Sequence, residues 1–346
     1  METRDVIISA FAQSAKKLTL EDGSKLSLQG FSQPLDAFTE PPVVLAVDAS
    51  TEGEEVFYDK AFGRELAKYR DADGSVLKRF IASHLVNVKV RRVALVGFSA
   101  GGVFVKGVLS GPDAAFVDAA IFLDAIHLSK SWDGKVLPES VGPLVNYGVR
   151  AALAEGEWDG PLMVQAHTSI ATPHPSVTAT TESAAAITAG VLANSPASAR
   201  SGYNPELLLA GPPPPGVTLG PTTGLPPPAK HFSAVPPPAI KARGNYYALN
   251  FGGTYGADHA FIAWFVQRGI WRAMLAPRWN EGLDCKPPAP ASGLGQTFCG
   301  PGGVVVPDGM FQTPEGPNWP AALLGLAVGA TVGFVGGGML KRRRTA

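Results

Sequence analysis

A chain of 346 residues in which 29 basic and 29 acidic side chains cancel offers no electrostatic case for nucleic-acid binding. Hydrophobic residues make up 45% of it, enough to fill the core of one α/β domain with segments to spare. Two cysteines, Cys285 and Cys299, are no disulfide scaffold, lack zinc-site spacing and leave their own pairing open.

Residues 1–5 mix both signs of charge and no sustained apolar run follows, so no signal peptide is expected. Residues 17–20 and 25–28 flank Glu21-Asp22-Gly23-Ser24, a turn sequence that predicts a hairpin. The run PVVLAVD at 42–48 predicts a buried strand, and 57–69 and 75–86 read as helices.

The most informative segment follows, RRVALVGFSAGG at 91–102. Its apolar run ends abruptly in Gly97-Phe98-Ser99-Ala100-Gly101, and 100–109 is compatible with a helix. Gly-x-Ser-x-Gly between a strand and a helix is the spacing of a nucleophile elbow. Such a turn presents Ser99 Oγ at the strand's carboxyl end, above a helix N-terminus that suits a group passing through negative charge. Glycines at 97 and 101 remove Cβ atoms that would collide with the departing helix. The plainer alternative is a tight turn whose serine caps the helix.

Beyond the elbow, 117–123 and 161–166 read as strands, 182–192 as a helix, 245–251 as the last strand and 259–274 as an aromatic-rich helix. Strands alternating with helices predict an α/β fold with a mostly parallel central sheet flanked by helices. Residues 129–160 are a candidate lid. Residues 205–238 hold 12 of the 31 prolines, which rules out a helix or central strand. A polyproline II excursion over 205–240 is expected there, with a Pro/Gly-rich linker over 277–320.

Residues 321–340 carry no charge, and Lys341-Arg342-Arg343-Arg344 closes them within a basic tail at 341–346. Roughly 20 residues at about 1.5 Å each span a bilayer core, and Trp319 stands where an interfacial aromatic belongs. A single-pass membrane helix is expected, with a glycine stripe at Gly325, Gly329, Gly333 and Gly337 suited to self-association. The basic tail argues for its own end in the cytoplasm. A tail-anchored cytoplasmic domain and an exported one remain equal alternatives.

A serine hydroxyl becomes nucleophilic when a base takes its proton, so the histidines matter next. His84 falls on a predicted helix upstream, and His231 lies inside the proline-rich stretch. His259 follows Gly252-Gly253-Thr254-Tyr255-Gly256-Ala257-Asp258, a loop after the last predicted strand, and is the candidate base. The base needs a carboxylate to hold its tautomer. Asp124 ends the strand after the elbow and leads, with Glu182 and Asp258 as alternatives. Asp124, His127, His167 and His174 lack the spacing of an established zinc motif, so no metal is expected.

With Ser99, Asp124 and His259 in that chain order, the sequence resembles the α/β-hydrolase superfamily over about residues 17–272, excluding the proline excursion. Segments 122–127 and 167–182 are also similar to a poorly characterised bacterial and phage-type branch of hydrolase-like proteins, a similarity that implies no substrate. The resemblance implies an α/β-hydrolase-like domain over 1–276. It also implies an oxyanion hole from the backbone of Ala100 plus a loop donor, here Ser50 or Thr51. The His-Gly pair familiar in that loop is replaced by Asp48-Ala49-Ser50, and loss of part of the hole costs about 3–4 kcal/mol.

The expected function is a serine hydrolase acting on a small ester-like substrate through an acyl-enzyme, with no cofactor. The alternative is a membrane-anchored structural or binding protein on a hydrolase scaffold.

Overall fold

The computed structural model describes residues 2–12, 17–19, 25–27, 38–49, 58–154, 160–170, 175–197, 234–253, 258–259, 262 and 266–280. Seven strands form one sheet: β1 (Glu2–Ala12), β4 (Val43–Ala49), β5 (Val88–Phe98), β6 (Ala119–Leu123), β7 (Leu162–His167), β8 (Ala234–Arg243) and β9 (Tyr246–Gly252). Their order across the sheet is β4-β1-β5-β6-β7-β9-β8. Every neighbouring pair is parallel except β8 with β9. The fold is therefore α/β, with a mostly parallel mixed sheet. The hairpin expected near the N-terminus is a separate pair, β2 (Lys17–Thr19) and β3 (Lys25–Ser27).

Strands covered on both faces read as unbroken apolar runs, and Ala119–Leu123 is buried at all five positions. From β4 through β5, β6 and β7 to β9 the chain always moves the same way across the sheet. Parallel crossovers of one hand place their helices on one face. The helices α1 (Tyr58–Tyr69), α2 (Leu77–Ala82), α3 (Gly102–Leu109), α4 (Pro138–Ala152) and α5 (Thr180–Ala193) indeed share one apolar layer. Phe62, Phe80, Phe104, Tyr147 and Ile187 meet the sheet there. The step from β1 to β4 runs the other way, and Phe38 on that connection is buried on the opposite face. Trp271 and Trp279 of the C-terminal helical stretch pack there too, 6.2 and 5.8 Å from Phe38 between ring centroids.

The far end of the sheet is closed by charge. Arg92, buried, donates to Asp5 and to the backbone carbonyls of Arg278 and Trp279 at 3.0 and 2.7 Å. Arg91 grips the same carboxylate at 2.8 and 2.7 Å. Arg92 thus joins β1, its own strand β5 and the C-terminal helices.

Several expectations change. The central strand β1 was not foreseen, because ETRDV opens with charges; these sit at the sheet's end, where Asp5 finds its arginines. The proline-rich stretch gives way at Ala234 to β8, with Pro236, Pro237 and Pro238 within it. Its pairing with β9 shifts register between Ala234 and Ala239, and it lies at the sheet's edge, where missing N–H groups break no ladder. Within the candidate lid, α4 instead belongs to the sheet's cover: its Leu144, Tyr147, Ala151 and Ala152 are buried in the core. The last helical stretch contains a π-helical turn, Trp271–Leu275, and continues to Asn280. Among the described residues no helix is long and apolar enough to cross a membrane. Residues 277–280, expected as the start of the linker, are helical; the rest of the linker, the proposed membrane segment 321–340, its glycine stripe and the basic tail lie outside the described residues.

Candidate active site

Chain direction reverses its course across the sheet between β1 and β5, and ligands of open α/β sheets bind beyond the carboxyl ends of strands at such a point. Ser99 stands there, directly after β5. Its φ is +53°, a left-handed backbone that costs a non-glycine residue on the order of 1–3 kcal/mol. A short 3₁₀ turn, Ser99–Gly101, leads straight into α3. The turn is crowded by backbone. A Cβ at Gly97 would lie 3.0 Å from Gly102 Cα, and one at Gly101 would lie 1.8 Å from the Ala10 carbonyl oxygen. A Cβ at Gly102 would lie 1.7 Å from the Ala125 carbonyl oxygen, so a third glycine, unmarked by the motif, is equally required.

Asp124 ends β6 and is 2% exposed. Its Oδ2 accepts a hydrogen bond from His259 Nδ1 at 2.8 Å, across 135 residues of chain. Thr168 donates to it twice, Oγ1 to Oδ2 at 2.7 Å and N–H to Oδ1 at 3.0 Å. Thr180 Oγ1 donates to Oδ1 at 2.6 Å. Burial pushes the carboxyl's pKa up, but the His259, Thr180 and Thr168 hydrogen bonds outweigh it and bring it down to about 2. The carboxylate is therefore ionised. The imidazole, 27% exposed at its side chain, lies against Phe98 with ring centroids 4.5 Å apart. Phe98 is the residue before Ser99, so the His259 ring is packed beside the elbow with Nδ1 committed to the acid. Among the described residues, no hydrogen bond joins Ser99 to His259.

The rival acids are placed otherwise. Glu182 accepts from the backbone N–H of Ala179 at 3.0 Å, capping α5, and pairs with Lys130 at 2.9 Å. Asp258 is fully buried, with its carboxyl carbon 2.7 Å from where a Cβ on Gly253 would be. Ala100, the first expected oxyanion donor, is half-buried in the elbow turn. Ser50 and Thr51 lie outside the described residues, and the strand leading to them, β4, is separated from β5 by β1. The strand beside the elbow strand on that side is thus β1, a neighbour that could be seen only by recognising β1 as a strand.

The other histidines hold loops. His84 Nδ1 lies 2.8 Å from the Phe80 carbonyl, and His127 Nδ1 lies 2.9 Å from that of Thr178. Burial pushes the His167 pKa down, keeping that imidazole neutral beside Thr168. His174 and His231 lie outside the described residues. Among the described residues no group of three or more His, Cys, Asp or Glu side chains could hold a metal ion. No protein-family profile, curated protein or solved structure matches this chain.

Proposed function

We propose that this chain is a serine hydrolase of the α/β-hydrolase kind, acting on carboxylic esters through an acyl-enzyme. The observation that carries the reading is the His259 Nδ1 to Asp124 Oδ2 hydrogen bond beside a serine in left-handed backbone at the end of a parallel strand. Ser99 Oγ attacks the acyl carbon while His259 Nε2 takes its proton; the same imidazolium then protonates the leaving alcohol. Water repeats the sequence on the acyl-enzyme and regenerates Ser99. Asp124 keeps the proton of His259 on Nδ1 and stabilises the imidazolium. The Ala100 N–H supplies one oxyanion donor, and the carboxyl end of β1, the strand paired with β5, is suited to supply the second. We also propose that residues 321–340 anchor the protein in a membrane, on the strength of their uncharged run and the Lys-Arg-Arg-Arg that follows.

One observation favours a second reading, a hydrolase scaffold with a membrane-anchored binding role: the missing Ser99–His259 hydrogen bond. General-base hydrogen bonds commonly tighten only once substrate is bound, so the hydrolase reading stands ahead. Treating the full chain in detergent with a fluorophosphonate probe separates the two. Labelling that disappears in both Ser99→Ala and His259→Ala supports the hydrolase. Folded wild-type protein that takes no label supports the binding scaffold.

A further inference from the structure

We propose that Thr168 and Thr180 are positioning residues for the triad acid, holding Asp124 in the orientation from which it can fix His259. The inference rests on the hydrolase reading above. Asp124 has a left-handed backbone, φ +49°, which a non-glycine residue keeps only when its surroundings over-determine it. Its amide donates to the Ala166 carbonyl at 2.7 Å, tying the end of β6 to β7.

The carboxylate is then caged from two further elements. Thr168, just past β7, contributes both its hydroxyl and its amide; Thr180, the first residue of α5, contributes its hydroxyl. An ionised carboxylate has about four lone-pair sites. Three are taken by the threonines, and the fourth, on Oδ2, is the one His259 Nδ1 uses. With both oxygens saturated, the carboxylate cannot rotate to offer the imidazole a different geometry without giving up a buried hydrogen bond. The neighbour of Thr180 ties the same two segments together, because Thr181 Oγ1 donates to the Thr168 carbonyl at 2.5 Å. Thr168 and Thr180 are both buried. Their described contacts reach the chemistry only through Asp124. The titratable groups that face Asp124 among the described residues are His259, paired with it, and His167, which feels its charge.

A purely structural reading would make these bonds staples between α5 and β7. The test therefore needs readouts that a staple would not move. Thr180→Val keeps the branched shape and removes the donor, and Thr180→Ala, which sets no methyl against Asp124 Oδ1, controls for crowding there. Thr180→Ser keeps the donor. Labelling rate with a fluorophosphonate probe is followed against pH on the full chain in detergent. The low-field proton resonance of the His259–Asp124 hydrogen bond is followed by NMR on the same samples.

Thr180→Val is expected to slow labelling on the order of 10- to 100-fold, the worth of one hydrogen bond to a charged group. It is also expected to raise the midpoint of the acid limb, because a carboxylate with one donor fewer draws the imidazolium more strongly. The low-field resonance shifts with it, and Thr180→Ser restores all three. A variant that melts earlier yet keeps the wild-type labelling rate, acid limb and resonance overturns the inference. If folded wild type never labels, the hydrolase reading fails instead, and the resonance alone then decides: one unmoved by Thr180→Val overturns the positioning role. A wild-type spectrum without the resonance overturns the pairing itself.

Discussion

Asp124 shows how a buried group of the candidate site also contributes to stability. Its carboxyl titrates near 2 in the folded chain, below the ordinary 3.8, because its hydrogen bonds overcome burial. A depressed carboxyl contributes stability that is fully present above the unfolded value and is lost as pH falls through the folded one. Asp124 therefore adds roughly 2 kcal/mol at neutral pH, disappearing between about pH 4 and pH 2. Asp124→Asn should lack that acid-side loss, which urea titrations at pH 6 and pH 2.5 measure as a smaller difference than in wild type. In the same variant the amide no longer holds the proton of His259 on Nδ1. Fluorophosphonate labelling at pH 7 should fall by roughly 10⁴-fold. A drop of less than tenfold would leave Asp124 a structural residue only.

At the level of the element, the β5–α3 connection is the least forgiving piece of the fold. Its tight radius comes from three glycines, of which Gly101 faces the Ala10 carbonyl and Gly102 the Ala125 carbonyl. Both obstacles are backbone in neighbouring strand ends, so neither can rotate away. Gly102→Ala should destabilise the protein by about 3 kcal/mol or more, read by thermal denaturation, since overpacking against backbone has no side-chain remedy. Gly63→Ala in α1, where nothing lies within 4 Å of the new Cβ, is the matched control and should stabilise slightly. Equal melting of the two variants would mean that the turn is more compliant than its geometry indicates.

Across the whole molecule, the sheet's two ends have divided roles: one carries the candidate site and the other the charged clamp on Asp5. Arg92→Met removes the clamp's hold on the Arg278 and Trp279 carbonyls and leaves three buried acceptors poorer by a donor. A loss of about 3–5 kcal/mol is expected from chemical denaturation, and a change under 1 kcal/mol would show the C-terminal helices docked by packing alone. This division also explains what could be seen in the sequence. Strands β5, β6, β7 and β9 are covered on both faces and announce themselves as apolar runs, and the elbow, Asp124 and His259 sit at their ends. Strand β1 hides its role behind Glu2, Arg4 and Asp5: Glu2 pairs with Arg4 within the strand, and Asp5 with Arg91 and Arg92 of β5. Thr168 and Thr180 were invisible as site residues because a threonine at a strand end or helix start usually serves the backbone. Only the folded register turns both hydroxyls onto one carboxylate.

The 135 residues between Asp124 and His259 have a consequence for the life of the chain during synthesis. On the proposed hydrolase reading, a nascent polypeptide carries Ser99 long before it carries His259, so the hydroxyl would have no base while the first half is being made. Parallel pairing between distant segments is intrinsically slow to form, and β9, which pairs with β7, is the strand just before His259 in the chain. Refolding from denaturant should therefore regain far-ultraviolet ellipticity before it regains reactivity toward a fluorophosphonate; simultaneous recovery would argue against this order. A hydrolase built this way would stay chemically silent until its last strand is in place, and would protect its maker from a half-finished nucleophile.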